Sequence, residues 1–384
     1  VYMDSYGDIP AGVLAAGAVA FWLCLRRTGG KGLWAMPLVL WAASYVKDNT
    51  LPIALMAWGL VAFDAFFFGL PGTEPDKKAL RFGRRAGFCA LALARCGARP
   101  ILLERGRPVE KRVEDVERFW TTGELKPQSN VQFGEGGAGA FSDGKLNTGT
   151  RDPRHRFILG ELVAHGAPES ILWDARPHVG TDYLHRVLAS LRRELLDLGC
   201  DIRFGHQVTG LALEEGYLSA LEVRGPEGGY ILPARAAVLA LGNSARDTFE
   251  MLHAAGVPME PKPLAVGVRI EHLQKDMDAV QYRAQAGHPR LGAASYKLSC
   301  HLDSGRGVFS FCVCPGGTVV AAASEANRVV TNGMSRYARE GENINGGLLV
   351  SVTPEDFPGG GPLAGIAFQR ELEERAYAAG GGGY

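Results

Sequence analysis

Gly83-Arg-Arg-Ala-Gly-Phe-Cys-Ala-Leu-Ala-Leu-Ala-Arg-Cys-Gly97-Ala-Arg-Pro-Ile-Leu-Leu-Glu104 is the stretch on which the fold turns. Phe88 to Cys96 reads as an alanine-rich helix stopped by Gly97, and Pro100 to Leu103 as a short apolar strand closing on Glu104. A dinucleotide-binding unit needs these parts in this order. A glycine turn lets backbone approach the pyrophosphate, the following helix presents free N–H groups, and an acid at the end of the second strand accepts the ribose hydroxyls. Glu104 stands 21 positions after Gly83, the spacing that unit requires. The glycines are out of order. With Gly83 in the middle place, Arg81 occupies the first and Ala86 the third, and an arginine at the first should block the tight turn. The preceding Asp76-Lys-Lys-Ala-Leu80 also lacks the expected apolar run. Any αβ unit can end in glutamate, so this stretch alone leaves an ordinary αβ hairpin open.

Working outward, the next informative segment is Asn130-Val-Gln-Phe-Gly-Glu-Gly-Gly-Ala-Gly-Ala-Phe-Ser-Asp-Gly-Lys145-Leu-Asn-Thr148. Five of the eleven residues 134–144 are glycine, interleaved with Ser142 and Asp143 and followed by Lys145. Such a loop offers several backbone N–H groups to an anion or a ring carbonyl. Flexible linkers are usually Gly/Ser without aromatics, so Phe133 and Phe141 favour a ligand loop. Ala237-Val-Leu-Ala-Leu-Gly242 is an apolar strand running into glycine, the place where an open α/β sheet presents its crevice. In Phe311-Cys-Val-Cys-Pro-Gly-Gly317, strand alternation would put Cys312 and Cys314 on one side, as a redox pair or as small apolar lining.

Asp182 to Leu198 has leucines and a valine at helical spacing, with Gly199 as its cap. Asp201–Gly225 alternates as strands and Tyr230–Leu241 contains another; later strand candidates are Ala265–Ile270, Val308–Cys314 and Leu348–Val352. Composition changes sharply near residue 72. Before it lie three apolar runs, Ile9 to Leu25, Leu33 to Val46 and Leu51 to Leu70. The third has the ~20 residues of a membrane span. Arg26, Arg27 and Lys31 follow the first run, and Lys77, Lys78, Arg81, Arg84 and Arg85 follow the third. Basic loops belong inside, so residues 9–71 are expected as a membrane anchor with the rest of the chain cytoplasmic. Buried core helices, or sequence not native to this protein, are the alternatives. The first run has neither the basic start nor the cleavage site of a signal peptide.

The 384 residues suffice for two or three domains. Lys+Arg and Asp+Glu are each 41, giving a formal net charge of +0, which argues against a nucleic-acid surface. Seven cysteines, without zinc-site spacing, read as free thiols in a reducing compartment, and no metal site is expected.

Asn130–Thr148, His178-Val-Gly-Thr-Asp-Tyr-Leu184, Phe309–Glu325 and Thr331-Asn-Gly-Met-Ser335 together resemble the bacterial FAD-dependent dehydrogenases, also called NAD(P)/FAD-dependent oxidoreductases, relatives of the glutathione-reductase-type flavoproteins. The resemblance covers roughly residues 82–377. It implies an α/β fold: a Rossmann-like FAD domain (73–255) interleaved with a mixed α+β substrate domain (256–384), behind the hydrophobic segment 1–72. FAD is the implied cofactor, NAD(P)H a candidate electron donor, and a small molecule the partner. Glu104 would hold ribose and Gly83 would face pyrophosphate. Gly134, Gly136, Gly137, Ser142 and Lys145 would line the flavin. Gln207 and Val208 would meet adenine through backbone, and Gly242 would sit at the strand end. Lys145 and Cys312 are the candidate catalytic groups. In that family the turn reads Gly-x-Gly-Pro-Ala-Gly-Leu before phenylalanine; here Gly83-Arg-Arg-Ala-Gly87 keeps the count and scrambles the identities. Family members also continue into a later glycine-rich segment near the flavin. The rival reading is therefore a non-catalytic truncated or fused remnant, possibly membrane-anchored.

Overall fold

The computed structural model describes residues 78–81, 84–146 and 154–384. Its centre is a parallel sheet in the order β3-β2-β1-β7, formed by β1 (Lys78–Arg81), β2 (Pro100–Glu104), β3 (Asp201–Phe204) and β7 (Ala237–Val238). Helix α1 (Arg84–Arg95) connects β1 to β2. β2 is buried along its whole length, and its alternation feeds two cores. Leu102 points into a cluster with Leu91 and Ala94 of α1 and with Leu191 and Leu195 of α4 (Thr181–Asp197). Ile101 and Leu103 point the other way, against Leu221, Val223 and Leu232. That second face is covered by an antiparallel meander, β4 (Gln207–Glu214), β5 (Tyr217–Gly225) and β6 (Gly228–Pro233). A run of Ile-Leu-Leu suits a strand sandwiched on both faces.

Between β2 and β3 come α2 (Val109–Thr122), the glycine-rich loop with a 3₁₀ turn at Gly137–Phe141, α3 (Arg154–Ala164) and α4. Helix α5 (Arg246–Ala254) follows β7. A second, antiparallel sheet has the order β8-β13-β10-β9, from β8 (Leu264–Leu273), β9 (Ser299–His301), β10 (Gly307–Cys314) and β13 (Asn343–Val352). Helix α6 (Gln274–Tyr282), the hairpin β11 (Thr318–Ala321) with β12 (Thr331–Met334), and α7 (Ala364–Ala379) complete it. The architecture is a mixed α/β fold.

Several expectations need correction. Lys78–Arg81 forms a strand despite its polar sequence, because parallel neighbours on both sides satisfy its backbone. The first helix begins at Arg84 rather than Phe88. Helix α2, between β2 and the glycine-rich loop, has buried Val109, Val116 and Phe119 as its apolar stripe. Only Ala237 and Val238 of the apolar run 237–241 pair, and Val238 and Leu239 are exposed. Cys312 and Cys314 do not alternate regularly: the β10–β13 register shifts between Phe311 and Cys314, and Cys312 has φ 48°. Gly83 and the runs within 9–71 lie outside the described residues. Among the described residues no helix is long and apolar enough to cross a membrane.

Candidate functional site

The strand order places β1 between β2 and β7, so the parallel sheet opens its crevice at the C-terminal end of β1, where α1 begins. Glu104 ends β2 beside that point and is 3 % exposed. Its Oε1 accepts the backbone N–H of Gly106 at 2.9 Å and of Gly134 at 3.1 Å. One carboxylate oxygen thus ties the end of β2 to the glycine-rich loop. The approach is so close that a Cβ on Gly106 would fall 2.4 Å from the Gly134 Cα.

The loop is held from beneath by Arg112 of α2, a fully buried side chain. It donates to the carbonyls of Asn130 (2.8 Å), Val131 (2.9 Å) and Glu135 (2.6 Å), with its guanidinium 4.9 Å from the Phe141 ring centroid. Burial pulls its pKa down to about 10, partly opposed by Glu104 and Glu135, so it stays charged at neutral pH. Phe133 and Phe141 are both buried, which makes the segment a packed loop rather than a linker. Gly134 has φ 117° and its hydrogen lies against Arg112; a Cβ there would meet the arginine Cδ at 2.4 Å. Gly136 packs on Leu188 in the same way. Gly137 (φ 61°) faces open space and begins the 3₁₀ turn. Ser142 is spent locally, donating to the Gly139 carbonyl and accepting the Gly144 N–H.

Glu135 is fully buried between these glycines. Its Oε2 accepts the Val109 N–H at 2.8 Å and pairs with Arg192 at 2.6 Å, while Oε1 has no partner among the described residues. Burial outweighs both contacts and pushes its pKa up to about 7. The folded-state value exceeds the unfolded one, so Glu135 favours folding most below its unfolded pKa of about 4.3 and loses that contribution as pH rises through about 7. A Glu135→Gln variant should therefore gain on the parent between pH 4.5 and 8, by on the order of 3 kcal/mol. Urea midpoints across that range check this; a constant gap between the two proteins would reject it.

At the loop's far end a polar cluster joins the loop to the connection between β12 and β13. Asp143, 1 % exposed, accepts from Arg339 Nε (3.0 Å) and Nη2 (2.6 Å), from Ser335 Oγ, and from Lys145 Nζ (3.1 Å). Burial opposes its ionisation, but Arg339 and Lys145 prevail and hold the carboxyl below its usual range. Lys145 Nζ also donates to Cys314 Sγ at 3.5 Å, and Lys145 forms a bridge with His178. Two candidates from the sequence, Lys145 and Cys312, thus meet in one cluster with Cys314, although they are far apart in the chain. Arg339 also lines a cavity of about 340 Å³ with Gln274, Asp278, Tyr282 and His288.

The adenine-side candidates lie elsewhere. Gln207 and Val208 begin β4, an edge strand of the meander, and pair with Arg224 and Val223. They belong to the strand that follows β3. The Gln207 amide donates to Asp247, which also holds Arg105. Gly242 (φ 70°) follows β7 and is exposed. Sequence reasoning missed Arg112, Glu135 and Arg339. A basic residue in an exposed-looking charged segment carries no mark of burial.

The geometry is that of a parallel sheet whose second strand is tied at its end to a glycine-rich loop, beside a separate antiparallel sheet. Residues 263–384 match the family described as FAD-dependent protein, C-terminal domain-like. The match covers the antiparallel sheet and α7. An uncharacterized protein of Clostridium beijerinckii is 48 % identical over 317 residues, which are 82 % of this chain and 59 % of that protein. The chain therefore spans about three-fifths of the length of the curated relative it matches. Among solved structures, a geranylgeranyl bacteriochlorophyll reductase-like protein from Thermoplasma acidophilum aligns with 80 % of this chain and 62 % of its own, at 12 % identity and TM-score 0.36. A flavin-dependent brominase aligns with 79 % and 63 %, at 12 % identity and TM-score 0.37.

Glu161, His165 and Glu194 bring their ligand atoms within 4.8 Å of one another. Arg95 fills the place a cation would take. It makes a two-pronged pair with Glu161 and also binds Glu194, while His165 bonds Glu194 and the Glu161 carbonyl. The cluster is an ion-pair junction between α1, α3 and α4.

Proposed function

We propose that this chain binds FAD and acts as a flavoprotein oxidoreductase of the dehydrogenase type, related to the glutathione-reductase-like enzymes. The observation that carries the reading is Glu104: a buried carboxylate at the end of the second parallel strand, hydrogen-bonded to the glycine-rich loop. Fit is supported by Gly137 and Gly242, whose left-handed backbones face open space and leave main chain approachable by a flat ligand. Glu104 would take the ribose and residues 83–85 the pyrophosphate. The 134–145 segment, including Lys145, would lie along the ring system, and the β4 edge at Gln207 and Val208 near adenine. FAD, when bound, would supply hydride or electron transfer between a small-molecule substrate and a second partner, for which NAD(P)H is the candidate electron donor. The chain's own part is to position both and to supply charge through Asp143, Lys145 and Arg339. The cavity beside Arg339 is the candidate substrate space. In the same reading the apolar runs in 9–71 would serve as a membrane anchor for a cytoplasmic flavin domain.

Purified protein should show flavin absorption in the visible range, released on denaturation. Glu104→Ala should weaken FAD binding by roughly 1.5–3 kcal/mol, the worth of a charge-assisted hydrogen bond, or on the order of ten- to a hundredfold in Kd. A flavin titration with unchanged affinity would reject this role for Glu104. A colourless protein that takes up no FAD would favour the non-catalytic remnant.

A further inference from the structure

Cys312 and Cys314 sit where the antiparallel sheet meets the glycine-rich loop, and the chain is distorted there. Cys312 adopts φ 48°, unusual for a residue with a side chain, at the break in β10 register. In a flat strand residues i and i+2 are about 6.8 Å apart at Cα, the outer limit for a disulfide. A bulge bends the strand at this point, and Cys314 Sγ donates to the Cys312 carbonyl at 3.2 Å. Gly333 of β12 makes the room. A Cβ there would lie 2.7 Å from Cys314 Sγ and 2.6 Å from Arg269 Nη1.

The surroundings are cationic. Lys145 reaches Cys314 from the loop, and Arg269 of β8 donates to the Cys312 carbonyl at 3.3 Å and to Asn345 Oδ1 at 2.6 Å. The groups acting on the pair are these two cations, Asp143 and Tyr296. Hydrogen bonding from Cys314, helped by Lys145 and Arg269, pulls the Cys312 thiol down to about 6 against its burial. The neighbouring Cys312 and burial push the Cys314 thiol up, against the pull of Lys145. Cys312 is partly exposed and Cys314 is not, which orders them as attacking and resolving thiols. Two buried polar atoms beside them, the Tyr296 hydroxyl and Asn345 Nδ2, have no partner among the described residues. They suit polar groups carried in by a ligand.

We propose that Cys312 and Cys314 form a dithiol site that reduces a small, polar disulfide. The Cys312 thiolate attacks one sulfur of R–S–S–R, forming the Cys312–S–S–R bond and expelling RS⁻. That leaving group takes the Cys314 proton and departs as RSH. The Cys314 thiolate then attacks the Cys312 sulfur, closes the intramolecular disulfide and expels the second RS⁻. Two protein thiols are oxidised and one disulfide is reduced to two thiols. No electron passes through flavin in these steps, so the inference stands apart from FAD binding.

The test uses the reduced chain mixed with oxidised glutathione at pH 7, followed by mass spectrometry of the peptide holding both cysteines. That peptide should lose two hydrogens without retaining glutathione. Cys314→Ser should trap glutathione on Cys312, and Cys312→Ser should leave Cys314 unmodified. Iodoacetamide supplies a readout independent of the serine variants. At pH 7 Cys312 should alkylate on the order of tenfold faster than exposed Cys300, and Lys145→Ala should move the Cys312 pH midpoint upward. A Cys312 no faster than Cys300, a midpoint unmoved by Lys145→Ala, or persistent glutathione on the parent peptide would overturn the proposal.

Discussion

Arg112→Ala should destabilise the protein by on the order of 3–5 kcal/mol. The side chain has no exposed surface and serves three carbonyls, those of Asn130, Val131 and Glu135. Its removal leaves those acceptors buried without donors, each worth roughly 1–3 kcal/mol, opens a cavity under Phe141, and strips Glu104 and Glu135 of a nearby positive charge. Arg112→Lys should recover only part of the loss, because a single ammonium cannot reproduce the planar fork. Urea unfolding measures both. An alanine variant with the parent's midpoint would mean that the loop is held by its aromatic residues alone.

Arg246→Ala should have a loss of similar size, on the order of 3–5 kcal/mol, concentrated on the C-terminal helix. Arg246 begins α5 and is 5 % exposed. It pairs with Glu325 at 2.6 Å and with both oxygens of Glu373 on α7, while Arg370 of α7 returns to Glu325 and to Glu250 of α5. Removing Arg246 leaves Glu373, largely buried, facing α5 with no cation in its place. Hydrogen exchange should speed up in α7 before it does in β2. Uniform exchange across the two would show that the junction is not what docks the helix.

The parts of this arrangement that could be read from the sequence are those set by local pattern. Pro100–Glu104 and Thr181–Asp197 carry their periodicities openly, and both form where the residues place them. The loop at 130–148 announced itself through glycine and aromatic content, and its described part, through Leu146, is packed accordingly. What escaped is contact between distant segments. Nothing about Arg112 in the sequence distinguishes it from its neighbour Lys111, which is exposed and paired with Glu114; helix phase alone separates them. Lys78–Arg81 looks too polar for a central strand because its pairing is decided by its neighbours rather than its side chains. The bulge at Cys312 was equally hidden, since period-two alternation assumes an unbroken ladder. Lys145 and Cys312 were named for separate reasons, and only the fold brings them to one place.

The interior junctions have a kinetic corollary. Arg95 with Glu161 and Glu194, Arg246 with Glu325 and Glu373, and Arg339 with Asp143 each set opposite charges within a few ångströms of one another, in a chain whose formal net charge is +0. Little field then extends past the Debye length of about 8 Å at physiological salt. An incoming anion or cation is not drawn in from a distance, and encounter rates should vary only weakly with ionic strength. Selectivity is left to the last few ångströms, where Lys145 and the walls of the crevice are first felt.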